Sequence, residues 1–191
     1  MSSYRLRCLL GLALALCLPS LADANPVKSR YTTIELKNCK NVQRHRDGGG
    51  WMCTGLPRFP VYVAEGDLRQ YVSVGQNARK HRAANQTLAP FNSIFDARNR
   101  ATIEWRFTQR NGQDEPYATI VSYDTKNDEG SGRVLVVTKV GKSESCHVAY
   151  IDAVANTNAI ALARNVADKT AASFDCSREP EVVGASGKSP M

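Results

Sequence analysis

Thr102-Ile103-Glu104-Trp105-Arg106-Phe107-Thr108 alternates apolar and polar side chains at every step. Successive side chains on a strand point to opposite faces, so Ile103, Trp105 and Phe107 share one face and Thr102, Glu104, Arg106 and Thr108 the other. This is the pattern of a half-buried strand, with Glu104 and Arg106 expected as a solvated pair or as cross-strand partners. Downstream of Asn111-Gly112 a second strand is predicted over Tyr117 to Tyr123, and after the polar turn Asp124 to Gly132 a third over Arg133 to Val140. The third carries Val134, Leu135, Val136, Val137 and Val140, apolar on both faces, as a central strand requires. A fourth runs from Cys146 to Asp152. From Asn158 to Ala172 the period changes: Ile160, Ala163, Val166, Ala167 and Ala171 fall at helical spacing, with Asn156, Thr157 or Asn158 available as the N-cap. The largely alanine face suits close packing on a sheet, whereas an amphipathic membrane helix would carry large apolar residues there.

Four strands followed by a helix read as an antiparallel meander closed by that helix. Tyr31 to Leu36, Arg58 to Val63 and Leu68 to Val74 supply three further strand candidates, and Arg79 to Arg100 shows no clear period and reads as a long loop. The expected class is α+β: a mainly antiparallel sheet of about six to seven strands with one C-terminal helix packed on it.

The other end of the chain concerns address. Arg5 and Arg7 precede the apolar run Cys8 to Leu18, then Pro19-Ser20 and Ala22-Asp23-Ala24. A positive segment, a short apolar segment and an A-x-A site make a signal peptide. The apolar run is far shorter than the roughly 20 residues that span a bilayer, so no transmembrane anchor is expected. The predicted organisation is a signal peptide over 1–24, a single exported domain over 25–177, and a disordered tail over 178–191, where Pro180, Gly184, Gly187 and Pro190 sit among small polar residues. The expected location is periplasmic or extracellular.

Beyond the leader the cysteines are Cys39, Cys53, Cys146 and Cys176, an even set that reads as two disulfides in an oxidising compartment. Zinc ligation lacks the required C-x2-4-C spacing, and the three histidines are scattered; no metal or cofactor is expected. A helix returning antiparallel over the Cys146–Asp152 strand would bring Cys176 back to Cys146, because the two segments are similar in length, about 20 Å each. Cys39 and Cys53 flank Asp47-Gly48-Gly49-Gly50, which reads as a flexible turn where the chain doubles back.

Charge is uneven. Residues 25–110 carry 15 basic and 6 acidic side chains, whereas 111–191 carry 8 basic and 11 acidic. Arg44-His45-Arg46 and Arg79-Lys80-His81-Arg82, with Arg98 and Arg100, would attract anions if gathered on one face. The leading expectation is therefore a non-enzymatic exported protein. It would bind an anionic envelope component or a protein partner through Arg79, Lys80, Arg82, Arg98 and Arg100, with Trp51 as a stacking surface. Nucleic acid is disfavoured as a partner, since no stretch interleaves aromatic with basic residues. The alternative is a small extracytoplasmic hydrolase using Glu65 and Asp67, or Glu104, as acid and base. Cys146-His147 is no nucleophile–base pair, because neighbours on a strand face opposite ways and a disulfide removes the thiolate. Gly48-Gly49-Gly50 does not lead into a helix and so is no phosphate cradle. No G-x-S-x-G or S-x-x-K motif occurs.

Overall fold

The computed structural model describes residues 28–110 and 112–191; the expected signal peptide lies outside them. Among the described residues, eleven strands and one α-helix stack in three layers. The large sheet runs β1 (Lys28–Ile34), β7 (Ala101–Arg110), β8 (Gln113–Lys126), β9 (Ser131–Val140), β10 (Ser145–Asp152) and β11 (Glu181–Val182), with β6 (Phe91–Ser93) pairing the far end of β8. The small sheet is the meander β2 (Lys40–His45), β3 (Gly48–Leu56), β4 (Phe59–Gly66) and β5 (Arg69–Val74). Helix α1 (Ala159–Thr170) covers the other face of the large sheet.

The expected α+β class holds, and so does the β7–β10 meander closed by a helix. Of the upstream strands, β1 extends that sheet by pairing with β7, whereas β2 to β5 do not join it. They form a second one, because their alternation supplies a separate apolar face: Val61, Val63, Val72 and Val74 pack across an inter-sheet core against Ile103, Trp105, Phe107, Val121, Tyr123, Val134 and Val136. β9 is apolar on both sides because Val134 and Val136 enter this core while Leu135 and Val137 enter the one beneath the helix.

Helix α1 buries Ala159, Ala163 and Ala167, and Ala171 continues the row in the following turn. Residues four apart share one helix face, and alanine lets that face lie close to β8–β10. Ile160, expected on this face, is exposed instead. Asn158 occupies the N-cap through its backbone carbonyl, without a side-chain bond, whereas Asn156 is engaged by the C-terminal segment.

Both disulfides pair as expected. Cys39–Cys53 joins the residue just before β2 to β3 with the Cα atoms 4.4 Å apart, and Cys146–Cys176 ties β10 to the segment after the helix at 5.7 Å. The glycine run between the first pair is not a flexible turn. The chain turns at Arg46-Asp47, and Gly48, Gly49 and Gly50 lie inside β3. A Cβ on Gly48 would sit 2.0 Å from the Glu65 carbonyl oxygen, so these glycines admit the neighbouring strand rather than loosen the chain.

Residues 178–191, expected to be a disordered tail, are held in place at a few points while most of their side chains stay exposed. β11 adds in parallel to β10 and so covers the edge of the large sheet. The last residues close over Asp152, which is fully buried: its Oδ2 accepts from the backbone N–H groups of Lys188 and Ser189, both at 2.8 Å, and its Oδ1 from Ser189 Oγ at 2.6 Å. A glycine- and proline-rich composition lowers the apolar gain of ordering, and here a buried carboxylate supplies the missing anchor.

His147 sets how the fold responds to acid. It is 0% exposed; its Nδ1 lies 2.9 Å from the Tyr150 hydroxyl, and its Nε2 has no partner among the described residues. Burial first, and the Arg82 charge second, lower its pKa to about 3 from the ordinary 6.5. The unfolded chain therefore takes up a proton that the folded chain refuses. The contribution is complete above pH 6.5 and is lost as pH falls from 6.5 toward 3, at up to about 1.4 kcal/mol per pH unit. Urea unfolding at pH 7.5, 5.5 and 4.5 should show the midpoint falling over this interval, and H147Q should flatten that fall.

Candidate binding groove

After β5 the chain reverses at Gly75 (φ 95°) and Asn77 (φ 59°), conformations that glycine and asparagine adopt at low cost. Two 3-10 turns, Ala78–Lys80 and Arg82–Asn85, then pack back beside the small sheet. Ala78, His81 and Ala83 point inward, with His81 Nδ1 3.2 Å from the Val74 carbonyl, which leaves Arg79 and Lys80 outward. They stand over the face of the small sheet that looks away from the core, and between them lies a groove of about 870 Å³.

Alternation explains what lines it. Val61, Val63 and Val72 face the core, so Tyr62, Ala64 and Tyr71 face out, and their partners in register include Met52 and Gly50. The floor is therefore Met52, Tyr62, Ala64 and Tyr71, and the rim is Gln43, His45, Asn77, Arg79, Lys80 and Asn85. The Tyr62 hydroxyl donates to Gln43 Oε1 at 3.3 Å, and the Arg79 guanidinium lies 5.9 Å from the Tyr62 ring centroid while reaching Gln43 Oε1 at 3.4 Å. The Lys80 ammonium has no partner among the described residues.

The groove gathers two basic clusters that lie far apart in the chain. His45 comes from the β2–β3 hairpin, where Arg44 and Arg46 beside it are exposed, and Arg79 and Lys80 come from the 3-10 turn. The remaining cations named from sequence do other work. Arg82 donates to the carbonyls of Cys176 and Arg178 and pairs with Glu179 at 2.5 Å, clasping the C-terminal segment. Arg98 and Arg100 lie outside the groove lining, in a turn organised by Asp96, whose Oδ1 accepts from both backbone N–H groups. Trp51, expected as a stacking surface, pairs in register with buried Val63 and packs against the inter-sheet core, on the opposite side of β3 from Met52. Tyr62 and Tyr71 line the groove instead; the position of Tyr62 between Val61 and Val63, and of Tyr71 beside Val72 with Val74 two residues further on, is the alternation that marks an outward face.

Chain comparison adds no relative. It matches no protein-family model, no curated protein and no solved structure.

The carboxylates named for hydrolysis are scattered and occupied. Glu65 borders the groove and accepts from Gln70 Nε2 at 3.0 Å, and exposed Asp67 pairs with Arg69 at the hairpin tip. Glu104 lies on the other side of the large sheet, beneath the helix. It is 4% exposed, and Arg106 is 7% exposed, so the pair expected in solvent is covered. Ser29 Oγ donates to Glu104 Oε1 at 2.6 Å, Arg164 Nε to the same oxygen at 2.8 Å, and Arg106 turns to Asp168 with contacts of 2.9 and 2.6 Å. Burial, then the hydrogen bond to Asp168, pushes the Tyr117 hydroxyl well above its usual range, so it stays protonated and donates. This network joins β1, β7 and β8 to α1.

A second cleft opens at the far end of the large sheet, lined by Arg58, Tyr117, Lys139, Lys142 and Asp168 among others. Its inner charges are already neutralised: Asp168 by Arg106, and Lys139 by Glu144 and the Phe174 carbonyl, each at 2.7 Å. Arg58 and Lys142 are exposed on its lining without side-chain partners among the described residues, but Asp114, Glu115 and Asp168 share that lining. The small-sheet groove, by contrast, sets Arg79 and Lys80 against Glu65 alone.

Proposed function

We propose that this is an exported, non-enzymatic binding protein that holds an anionic partner in the groove of the small sheet. The observation that carries the reading is the convergence of Arg79, Lys80 and His45 over an aromatic floor in one concavity, with Lys80 unpaired among the described residues. Its volume falls within the roughly 300–1,000 Å³ of ordinary ligand sites. The two disulfides suit an oxidising compartment and so support the export reading. Among the described residues no helix is long and apolar enough to cross a membrane. The scattered, occupied carboxylates favour binding over the hydrolase alternative.

Charge reversal tests this reading. R79E combined with K80E is expected to weaken binding of an anionic envelope polymer by at least about tenfold, or roughly 1.4 kcal/mol. Reversal of Arg98 and Arg100 is expected to change it little. Affinity of the unaltered chain should fall steeply between 0.05 and 0.5 M salt, conditions under which the screening length shrinks from above about 10 Å to a few Å. Equal binding by the R79E/K80E variant in a titration refutes the groove as the site.

A further inference from the structure

The walls of the groove say more about the ligand than its charge does. Resting on the reading above, we infer that the ligand is an acidic glycan, a chain of sugar rings bearing carboxylates. A bare phosphate polymer offers only acceptor oxygens, so cations alone would suffice to hold it. Here three side-chain amides, Gln43, Asn77 and Asn85, stand on the rim with the cations. Asn77 and Asn85 have no side-chain partners among the described residues. Each amide both donates and accepts, which matches a hydroxyl that does the same.

The floor matches the other half of a sugar. Gly50 lies beneath Tyr62, and a Cβ there would come within 2.6 Å of the Tyr62 hydroxyl, so the absent side chain lets that ring settle into the sheet. With Tyr62 lying under Arg79, Ala64, Met52 and Tyr71 form the accessible low apolar surface, suited to the C–H face of a single pyranose ring with its hydroxyls turned to the amides. Arg79, lying over Tyr62, and Lys80 then face the ring carboxylates. Single-stranded nucleic acid fits less well. Base stacking needs successive free aromatic faces. Tyr62 is buried under Arg79, so Tyr71 stands alone in that role.

The experiment is a calorimetric titration of the full chain with four probes: oligogalacturonate, its methyl-esterified neutral form, polyphosphate of similar charge, and a single-stranded oligothymidylate. Oligogalacturonate is expected to bind at least tenfold tighter than the other three. Y71A, and N77G combined with N85A, should each weaken it at least fivefold while leaving the circular-dichroism spectrum unchanged. Polyphosphate or oligothymidylate binding as tightly as oligogalacturonate overturns the glycan assignment and leaves the anionic groove intact. Failure of all three anions to bind, or binding indifferent to R79E/K80E, overturns the groove reading itself and the inference with it.

Discussion

Asp152→Ala is expected to destabilise the protein by about 3–5 kcal/mol and to free its C-terminal segment. The carboxylate accepts from Val154 N and Ala155 N, both at 3.0 Å, as well as from Lys188 N, Ser189 N and Ser189 Oγ. It thereby closes the turn before α1 and anchors the last residues in one place. Removing it leaves several donors in a buried site with no acceptor, which costs more than the loss of an ordinary hydrogen bond. D152N keeps the shape but turns an amide nitrogen toward groups that are themselves donors, so it should rescue little. Limited proteolysis reads the local effect: cleavage within 183–188 should appear in D152A under conditions where the parent chain resists.

Acid repeats the experiment reversibly. Burial alone would raise the Asp152 pKa, but the hydrogen bonds from Ser189, Ala155 and Lys188 prevail and hold it at about 2, below the ordinary 3.8. A group depressed on folding contributes stability above its unfolded value and loses it as pH falls, here from 3.8 toward 2. The loss at Asp152 therefore follows the loss at His147, which begins near pH 6.5. In the H147Q background, where the earlier loss is flattened, protease sensitivity of the C-terminal segment that appears at pH 5, well before Asp152 takes a proton, would contradict the anchor.

Glu104→Ala should cost about 3 kcal/mol or more, because it removes the acceptor shared by Ser29, Arg164 and Arg106 in a covered site. Arg106 keeps Asp168, which limits the penalty, whereas Arg164 keeps only the Tyr31 hydroxyl. The comparison that separates pairing from burial is the double variant E104L/R106M. Replacing a buried ion pair by apolar side chains of similar volume is often neutral, so the double variant should cost clearly less than the two single variants summed. Additive urea midpoints would show that the two side chains act independently.

Much of this architecture is legible from local pattern. Alternation in Thr102–Thr108 placed Ile103, Trp105 and Phe107 on one face, and the structure buries all three. The matched lengths of the Cys146–Asp152 strand and the following helix determined the Cys146–Cys176 pairing, since chain geometry alone returns one cysteine to the other. These results depend on neighbours in sequence, where period and reach are sufficient.

What the tertiary structure alone decided involves segments meeting from far apart. Whether Glu104 and Arg106 face water depends on a helix about 60 residues later, which brings Arg164 and Asp168 over them. The order of residues 178–191 depends on the carboxylate of Asp152, which no local composition reveals. The seven strand candidates carried no instruction to divide between two sheets; that came from two apolar faces needing each other's cover. The groove arose the same way. Arg44-His45-Arg46 and Arg79-Lys80 were visible as charge, yet only the turn at Gly75 and the outward faces of β4 and β5 set them around Tyr62 and Tyr71. A sequence states which side chains share a face, and the packing of whole elements decides what that face meets.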